Sequence, residues 1–141
     1  MKQLSLVEKA FFLKKTFLFK DLDLDLLIAI ADNMSQDIYD AQEKTFDINQ
    51  RANRMYFIVH GSVEISDNDN KVIQTLNSTD FFGDESLFND KLRQYKSICK
   101  TDSLILTITK TNLLNVISEC PSVALALLKK YAQITPCRKE T

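Results

Sequence analysis

Histidine is almost missing from this chain, which carries a single one, His60, in 141 residues. One imidazole excludes a multi-histidine metal site and argues against a histidine-based catalytic triad. Because it precedes a glycine, His60 is expected in a surface turn. The three cysteines, Cys99, Cys120 and Cys137, are far apart and form no C-x-x-C pair. This spacing predicts reduced thiols rather than a disulfide framework or a zinc site, with Cys99 as a small core residue.

Long apolar runs are also missing. The longest, residues 26–31, is far below the ~18 residues that a membrane span needs, and the N-terminus lacks the apolar core of a signal peptide. A formal net charge of −1 indicates no nucleic-acid or acidic-lipid partner. We therefore expect one cytoplasmic globular domain of average size, without direct membrane insertion.

Glycine is scarce too, and one of the two glycines, Gly83, opens the stretch FFGDESLFNDKLRQY, residues 81–95. A glycine lets the backbone approach a ligand closely. The residues ESLFN after it can form one helical turn whose free N–H groups face an anion. Arg93 can return across that turn and bind the same anion through its guanidinium fork. The stretch is therefore a candidate phosphate site.

An alternative is a loop in which Arg93 forms an ion pair with Asp84, Glu85 or Asp90. Spacing alone favours this alternative, because an arginine near three acids is common on protein surfaces. A structure in which Arg93 lies against one of these acids would support it.

The first forty residues show helical spacing. Leu4, Val7 and Phe11 suggest one amphipathic face, and Asp23 or Asp25 can begin a second helix. From residue 38 the apolar pattern changes to a period of two, with short segments separated by polar clusters. This spacing predicts the strands of a barrel or sandwich.

Three strand features follow from this pattern. His60–Gly61 is predicted to be a hairpin turn between strands at residues 55–58 and 63–65, and SDNDNK, residues 66–71, is predicted to be a second hairpin tip. Apolar residues alternate over residues 104–109, which predicts a half-buried strand.

The C-terminal part of the chain predicts two helices. Thr109 or Thr111 can cap the first, and Pro121 can begin the second. The predicted buried face of the second helix contains Ala124, Leu125, Leu128 and Tyr131. Pro136 is expected to end this helix, followed by a frayed tail.

Residues 81–95 resemble the phosphate-binding cassette of cyclic nucleotide-binding domains, the module of the protein kinase A regulatory subunit and the catabolite activator protein. Phe82, Gly83 and Arg93 fall at matching positions without a gap. A second segment resembles the family's A-x-x-M-Y-F-I-x-x-G-x-V-x-V signature, with matches at Ala52, Met55, Tyr56, Ile58, Gly61, Val63 and Ile65. The resemblance covers roughly residues 10–133.

This resemblance implies a mainly β fold with flanking helices. Its centre is an eight-stranded double-stranded β-helix, a jelly-roll-like β-roll, with N-terminal helices, a short cassette helix and two C-terminal helices. The implied divisions of this single domain are a helical lead-in at 1–37, the β-roll at 38–109 with the cassette at 81–95, the C-terminal helices at 110–135 and a tail at 136–141.

The resemblance also implies a regulatory domain rather than an enzyme. The expected ligand is cAMP or cGMP, with no metal, cofactor or catalytic residue. Arg93 would neutralise the phosphate, backbone N–H groups of Glu85 and Ser86 would donate to it, and Asp84 would accept from the ribose 2′-hydroxyl. The expected ligand-binding residues are Phe82, Gly83, Asp84, Glu85, Ser86, Arg93, Gln94 and Tyr95. The two C-terminal helices would relay binding to an unidentified protein effector, and Arg93→Ala is expected to abolish binding with little effect on melting.

Several residues depart from the family pattern. Asp84 is one methylene shorter than the family's glutamate, and Glu85 occupies a position that is usually apolar. Gln94 and Tyr95 replace small residues, and Tyr95 is large enough to fill the cavity. The alternative is thus a degenerate domain that binds no nucleotide and serves as an interaction or scaffold module. Tyr131 could cover the pocket, although packing against the barrel is favoured.

Three turn positions that carry glycine in the family hold Gln42, Asn49 and Thr79 instead. Asparagine tolerates a left-handed backbone, whereas glutamine and threonine do so poorly. Altered turn types or local strain are therefore expected at these corners.

Overall fold

A computed structural model describes residues 2–134 of the chain, which form five helices and eight strands. In chain order these are α1 (Leu6–Leu13), α2 (Leu24–Asp32), β1 (Ser35–Tyr39), β2 (Lys44–Phe46), β3 (Arg54–His60), β4 (Val63–Ser66), β5 (Val72–Leu76), β6 (Phe81–Phe82), α3 (Glu85–Asn89), β7 (Lys96–Cys99), β8 (Ser103–Thr109), α4 (Lys110–Glu119) and α5 (Pro121–Ile134).

The eight strands form two antiparallel sheets of four strands each, in the orders β1-β8-β3-β6 and β2-β7-β4-β5. The sheets enclose one apolar core that includes Tyr56 and Ile58. The residues of β3 that alternate with them, Met55 and Phe57, point to the opposite face of the sheet and pack in a second core with the helices. This is the predicted β-roll with flanking helices, and the predicted fold class is confirmed. Its first strand begins at Ser35, slightly earlier than the alternation suggests.

Strand β8 is buried on both faces, so the prediction of a half-buried strand is wrong. Ile105 faces the interior of the β-roll, whereas Leu106 and Ile108 face the helices. The reason is topological, because β8 lies between β1 and β3 and the helices cover the outer face of that sheet. One of its two threonines, Thr107, is also buried, with 1% of the residue exposed.

The segment around Gly61 is not a hairpin, because β3 and β4 belong to different sheets. The chain crosses between the sheets here, with Gly61 at φ 110°. A Cβ atom at this position would lie 2.2 Å from the Ser103 Oγ atom, so only glycine fits. The second predicted hairpin is confirmed, since β4 pairs with β5 and Ser66 opposes Val72.

The three turns without glycine nevertheless adopt left-handed backbone conformations. The φ angles are 73° at Gln42, 68° at Asn49 and 75° at Thr79. Each N–H group is committed to a neighbouring strand or to the cassette, with acceptors on Cys99 (2.6 Å), Arg93 (2.7 Å) and Ile58 (2.8 Å), respectively. The three turns therefore keep the left-handed geometry that glycine adopts easily, although their residues disfavour it. This is the local strain that was expected at these corners.

The N-terminal helices begin where capping residues stand. Ser5 and Glu8 form a reciprocal capping box at α1, and Asp23 is the N-cap residue of α2. The predicted apolar face of α1 is wrong, since Phe11 is 55% exposed while Ala10 and its neighbours are buried. The buried residues of α1 are Ala10, Phe12 and Leu13.

The C-terminal helices begin as predicted, with the Thr109 hydroxyl accepting from the Asn112 N–H group and α5 starting at Pro121. The buried face of α5 differs from the predicted one, because Leu128 is 66% exposed. Its buried residues are instead Val123, Leu127 and Lys130. The predicted stop at Pro136 and the tail lie outside the described residues.

Two further surface and core predictions can be compared with the structure. His60 is exposed at the end of β3, and Cys99 is fully buried with a free thiol. Cys120 is also free, whereas Cys137 lies outside the described residues. Between residues 2 and 134 no single helix is long and apolar enough to cross a membrane, although α4 and α5 together reach that length across a bend of 115°.

Candidate functional site

The cassette helix α3 has the bounds that the sequence predicts, Glu85–Asn89. Gly83 precedes it at φ 81°, and Asp90 ends it in the left-handed conformation at φ 58°. A Cβ atom on Gly83 would lie 3.0 Å from both the Arg93 Nη1 atom and the Tyr56 Cδ1 atom. The glycine is thus required by its backbone conformation and by the close approach of the arginine.

Arg93 is buried, with 1% of its surface exposed. Its Nη1 group donates to the Gly83 carbonyl oxygen and its Nη2 group to the Arg54 carbonyl oxygen, each at 2.6 Å. The guanidinium carbon lies 4.1 Å from the ring centroid of Phe46. Burial lowers the pKa of the Arg93 guanidinium, which nevertheless stays protonated at neutral pH.

The alternative interpretation, an ion pair of Arg93 with Asp84, Glu85 or Asp90, is wrong. No ion pair within residues 2–134 includes Arg93, and its hydrogen bonds go to main-chain carbonyls. The cassette therefore holds a buried positive charge whose partners are dipoles and aromatic rings rather than a carboxylate.

Tyr95 occupies the space between Gly83 and Glu85. Its hydroxyl accepts a hydrogen bond from the Gly83 N–H group at 3.1 Å and donates one to the Glu85 carboxylate. Its ring packs on Phe46 with the centroids 5.4 Å apart. Burial and the nearby Glu85 charge raise the pKa of Tyr95, so it is neutral and able to donate. Tyr95 therefore closes the cassette from the inside.

Asp84 is buried and binds the last helix rather than Arg93. Its carboxylate accepts a hydrogen bond from the Tyr131 hydroxyl at 2.6 Å. Burial raises the pKa of Asp84 to about 6, although the hydrogen bond from Tyr131 partly opposes this shift. The Tyr131 ring meets Phe88 of α3 edge to face, with the centroids 5.9 Å apart. Tyr131 therefore contacts the cassette directly, whereas the sequence favoured packing against the barrel as its role.

A cavity of about 530 Å³ opens beside Asp84, between α3 and the two C-terminal helices. Its walls are mainly apolar, with Asp84 and Glu85 contributing the charged groups and Tyr131 lying at the side of α5. This volume falls in the range of small-molecule sites. The space next to Asp84 can therefore accommodate a small molecule.

The other expected site residues divide into two groups. Phe82 stacks on Tyr56 at 4.8 Å between centroids, and Ser86 is buried with its hydroxyl 3.4 Å from the Leu92 carbonyl oxygen. Gln94, by contrast, is exposed on the surface. The structure brings Gly83, Asp84, Glu85, Arg93 and Tyr95 together, whereas Gln94 points away from a closed interior.

The sequence does not reveal the role of Phe46, whose ring faces both Arg93 and Tyr95. It stands in a strand of three residues, too short for a readable alternation. The Arg54 carbonyl is a main-chain group and has no sequence signal. Across residues 2–134 no group of three or more metal-binding side chains is close enough to hold an ion.

The comparisons with known proteins agree with this fold. The family model described as the cyclic nucleotide-binding domain matches residues 37–120, which include the whole cassette. The chain belongs to this family. It is 27% identical over 114 residues to the cGMP-dependent protein kinase egl-4 of Caenorhabditis briggsae, covering 77% of this chain and 15% of the kinase. The chain thus spans only a small part of such relatives, and in them this family's domain is regulatory.

Two solved structures share the fold. The N-terminal domain of a transcriptional regulator from Streptomyces coelicolor A3(2) superposes with a TM-score of 0.80 at 22% identity, over 89% of this chain and 90% of that one. The catabolite activator protein of Thermus thermophilus superposes with a TM-score of 0.75 at 19% identity, over 86% and 59% of the two chains.

Proposed function

We propose that this domain is a regulatory module that binds a cyclic nucleotide, cAMP or cGMP, after Tyr95 leaves the cassette. Arg93 is the observation that carries this proposal. A guanidinium that is 1% exposed and has no carboxylate partner among the described residues is expensive to bury. Carbonyl oxygens and ring faces offset part of that cost. A phosphate would supply the missing negative charge.

Each cassette residue then has a role in the open state. Arg93 neutralises the phosphate, and the backbone N–H groups of Glu85 and Ser86 donate to it. Asp84 accepts from the ribose 2′-hydroxyl, and the base enters the apolar cavity beside α5. These roles follow the family's pattern, and they require the Tyr95 ring to move.

The closed state reduces the affinity for a nucleotide. When Tyr95 leaves the cassette, two of its hydrogen bonds break, one of them to a carboxylate, and its ring separates from Phe46. Together these contacts are worth about 3 kcal/mol, which corresponds to about a hundredfold in affinity. The nucleotide binds only the open fraction, so the domain responds to high ligand concentrations.

The relay to a partner would run through Asp84. In the closed state this carboxylate binds the Tyr131 hydroxyl of α5. A ribose hydroxyl would compete for the same oxygen atoms and release Tyr131. Because α5 is held to the cassette partly by this bond, ligand binding would change the position of α5 and the surface that it presents to a protein effector. No catalytic step is involved.

The test is calorimetric titration of the full chain with cAMP and, separately, with cGMP. We compare the wild type, Tyr95→Ala and Tyr39→Ala. Tyr39 packs at the edge of the same aromatic core and is the matched control. We expect Tyr95→Ala to bind one nucleotide up to about a hundredfold more tightly than the wild type, and Tyr39→Ala to resemble the wild type. Adding Arg93→Gln to Tyr95→Ala should remove the binding.

A second candidate is an interaction module that binds no nucleotide. The observation that favours it is the closure of the cassette by Tyr95 and Glu85 from within the chain. If folded Tyr95→Ala protein produces no heat with either nucleotide, the first proposal is wrong and this second function stands.

A further inference from the structure

A second cavity, of about 290 Å³, lies at the edge of the β-roll where β1 of one sheet faces β2 of the other. Its walls come from β1, β2, the start of β3 and the preceding loop, residues 47–53. It shares no lining residue with the apolar cavity beside Asp84. The loop is held in place because the backbone N–H group of Arg93 donates a hydrogen bond to the Gln50 carbonyl oxygen at 2.8 Å.

The charge of this cavity is positive. Its lining contains three arginines, Arg51, Arg54 and Arg93, and no acidic residue among those described. The nearest carboxylate partner is Asp37, whose oxygen lies 3.8 Å from Arg54, and both side chains are about one-third exposed. Such a long, solvated pair neutralises little of the charge. The amide groups of Gln50 and Asn53 add further donors.

Two buried polar atoms in the wall have no hydrogen-bond partner within the described residues. They are the Thr45 hydroxyl and the Nε atom of Arg93. Buried polar groups are nearly always paired, so two unpaired ones in one wall indicate a missing partner. The Arg93 Nε group can only donate, and the Thr45 hydroxyl can donate as well. Both atoms are fully buried, so an acceptor-rich anion in the cavity would pair with them after a small shift of the Thr45 and Arg93 side chains.

We propose that this cavity binds the phosphate group of a small ligand, either inorganic phosphate or a phosphate monoester. Arg51 and Arg54 contact the anion from the exposed side, and Arg93 lies behind them. Guanidinium groups match the oxygen spacing of a phosphate, and its tetrahedral shape allows several of them to bind at once. Arg51, Arg54 and Thr45 lie outside the cassette, so Arg93 is the one residue that this site shares with the proposed nucleotide site.

The experiment is a titration of the full chain with inorganic phosphate and, separately, with glycerol 3-phosphate. Ionic strength is held constant with sodium chloride. Amide NMR shifts locate the site, and calorimetry measures the affinity. We expect saturable shifts at residues 45–54 and around Arg93. Arg51→Gln and Arg54→Gln should each weaken binding by about tenfold or more.

Lys71→Gln is the matched control, since it removes one exposed positive charge at the distant β4–β5 hairpin. It should leave the affinity unchanged. Tighter binding of the ester identifies a monoester as the ligand, and equal affinities identify the free phosphate. Shifts that never saturate, or an equal loss in Lys71→Gln, would mean general charge screening and would overturn the proposal. Arg51 is exposed, so its variant remains informative even if Arg54→Gln fails to fold.

Discussion

The hydroxyl of Tyr95 accepts the hydrogen bond of the Gly83 N–H group at 3.1 Å, inside the segment that resembles the family's phosphate-binding cassette. The same hydroxyl donates to Glu85, so one phenol satisfies both sides of the cassette. In this structure a side chain of the chain itself is the acceptor for the N–H group of Gly83.

Tyr95→Phe should separate the contribution of the hydroxyl from that of the ring. The variant leaves the Gly83 N–H group and the Glu85 carboxylate without this partner, so the free energy of unfolding should fall by about 1–2 kcal/mol. Urea unfolding measures the change. Tyr39→Phe, at the edge of the same core, is the control and should change less. Equal losses in the two variants would show that the cassette contacts of Tyr95 carry no special weight.

Arg93→Ala should destabilise the fold, because the side chain is buried. Two main-chain carbonyls, of Gly83 and Arg54, would lose their donors, and a cavity would remain beside Phe46. We expect a loss of about 3 kcal/mol or more. This replaces the expectation from sequence that melting would hardly change. Thermal unfolding measures the change, and Arg51→Ala, at an exposed arginine, is the control. A melting temperature equal to that of the control would contradict the burial.

The buried carboxyl of Asp84 should make stability depend on pH. Its pKa in the folded protein is about 6, above its value in an unfolded chain, so the folded state binds the proton more tightly. The free energy of unfolding should therefore rise through this group as pH falls from 7 towards 4, by up to about 2–3 kcal/mol.

The comparison of Asp84→Asn with the wild type isolates this effect from other groups. The variant should be more stable than the wild type at pH 7, and the difference should shrink on acidification. Tyr131→Phe removes a hydrogen bond that lowers the pKa of Asp84, so the transition should move to higher pH. Parallel pH profiles for Asp84→Asn and the wild type would exclude a raised pKa.

Thr79→Gly should stabilise the protein. Thr79 has a φ of 75°, which a β-branched residue adopts only under strain. Removing the backbone strain should stabilise the folded state by about 1–2 kcal/mol, and the greater conformational freedom of glycine in the unfolded chain partly offsets this gain. Thr75→Gly in the extended strand β5 is the control and should destabilise. Denaturant unfolding of both variants checks the opposite signs.

The features that the sequence predicts correctly depend on residues that are close in the chain. The bounds of α3, the Thr109 cap and the start of α5 at Pro121 are local, because a cap and its N–H partner are three residues apart. The family motif then supplies the order of the strands. Together they determine the fold class and the position of the cassette.

The errors concern partners that are distant in the chain. Whether β8 is covered on one face or two depends on the helices that pack outside it, and Gly61 connects two sheets rather than two paired strands. The environment of Arg93 could not be predicted because its acceptors are main-chain carbonyls, which every residue possesses. A pattern of side chains does not encode which carbonyl will be nearby.

The two adjacent residues Lys130 and Tyr131 attach α5 to two different parts of the molecule. The Lys130 ammonium group binds Asp21 in the N-terminal segment, and the Tyr131 hydroxyl binds Asp84. Adjacent side chains on a helix point about 100° apart. A turn of α5 about its own axis therefore disturbs both bonds together. The last helix thus connects the cassette to the turn between α1 and α2, which lies 63 residues earlier in the sequence.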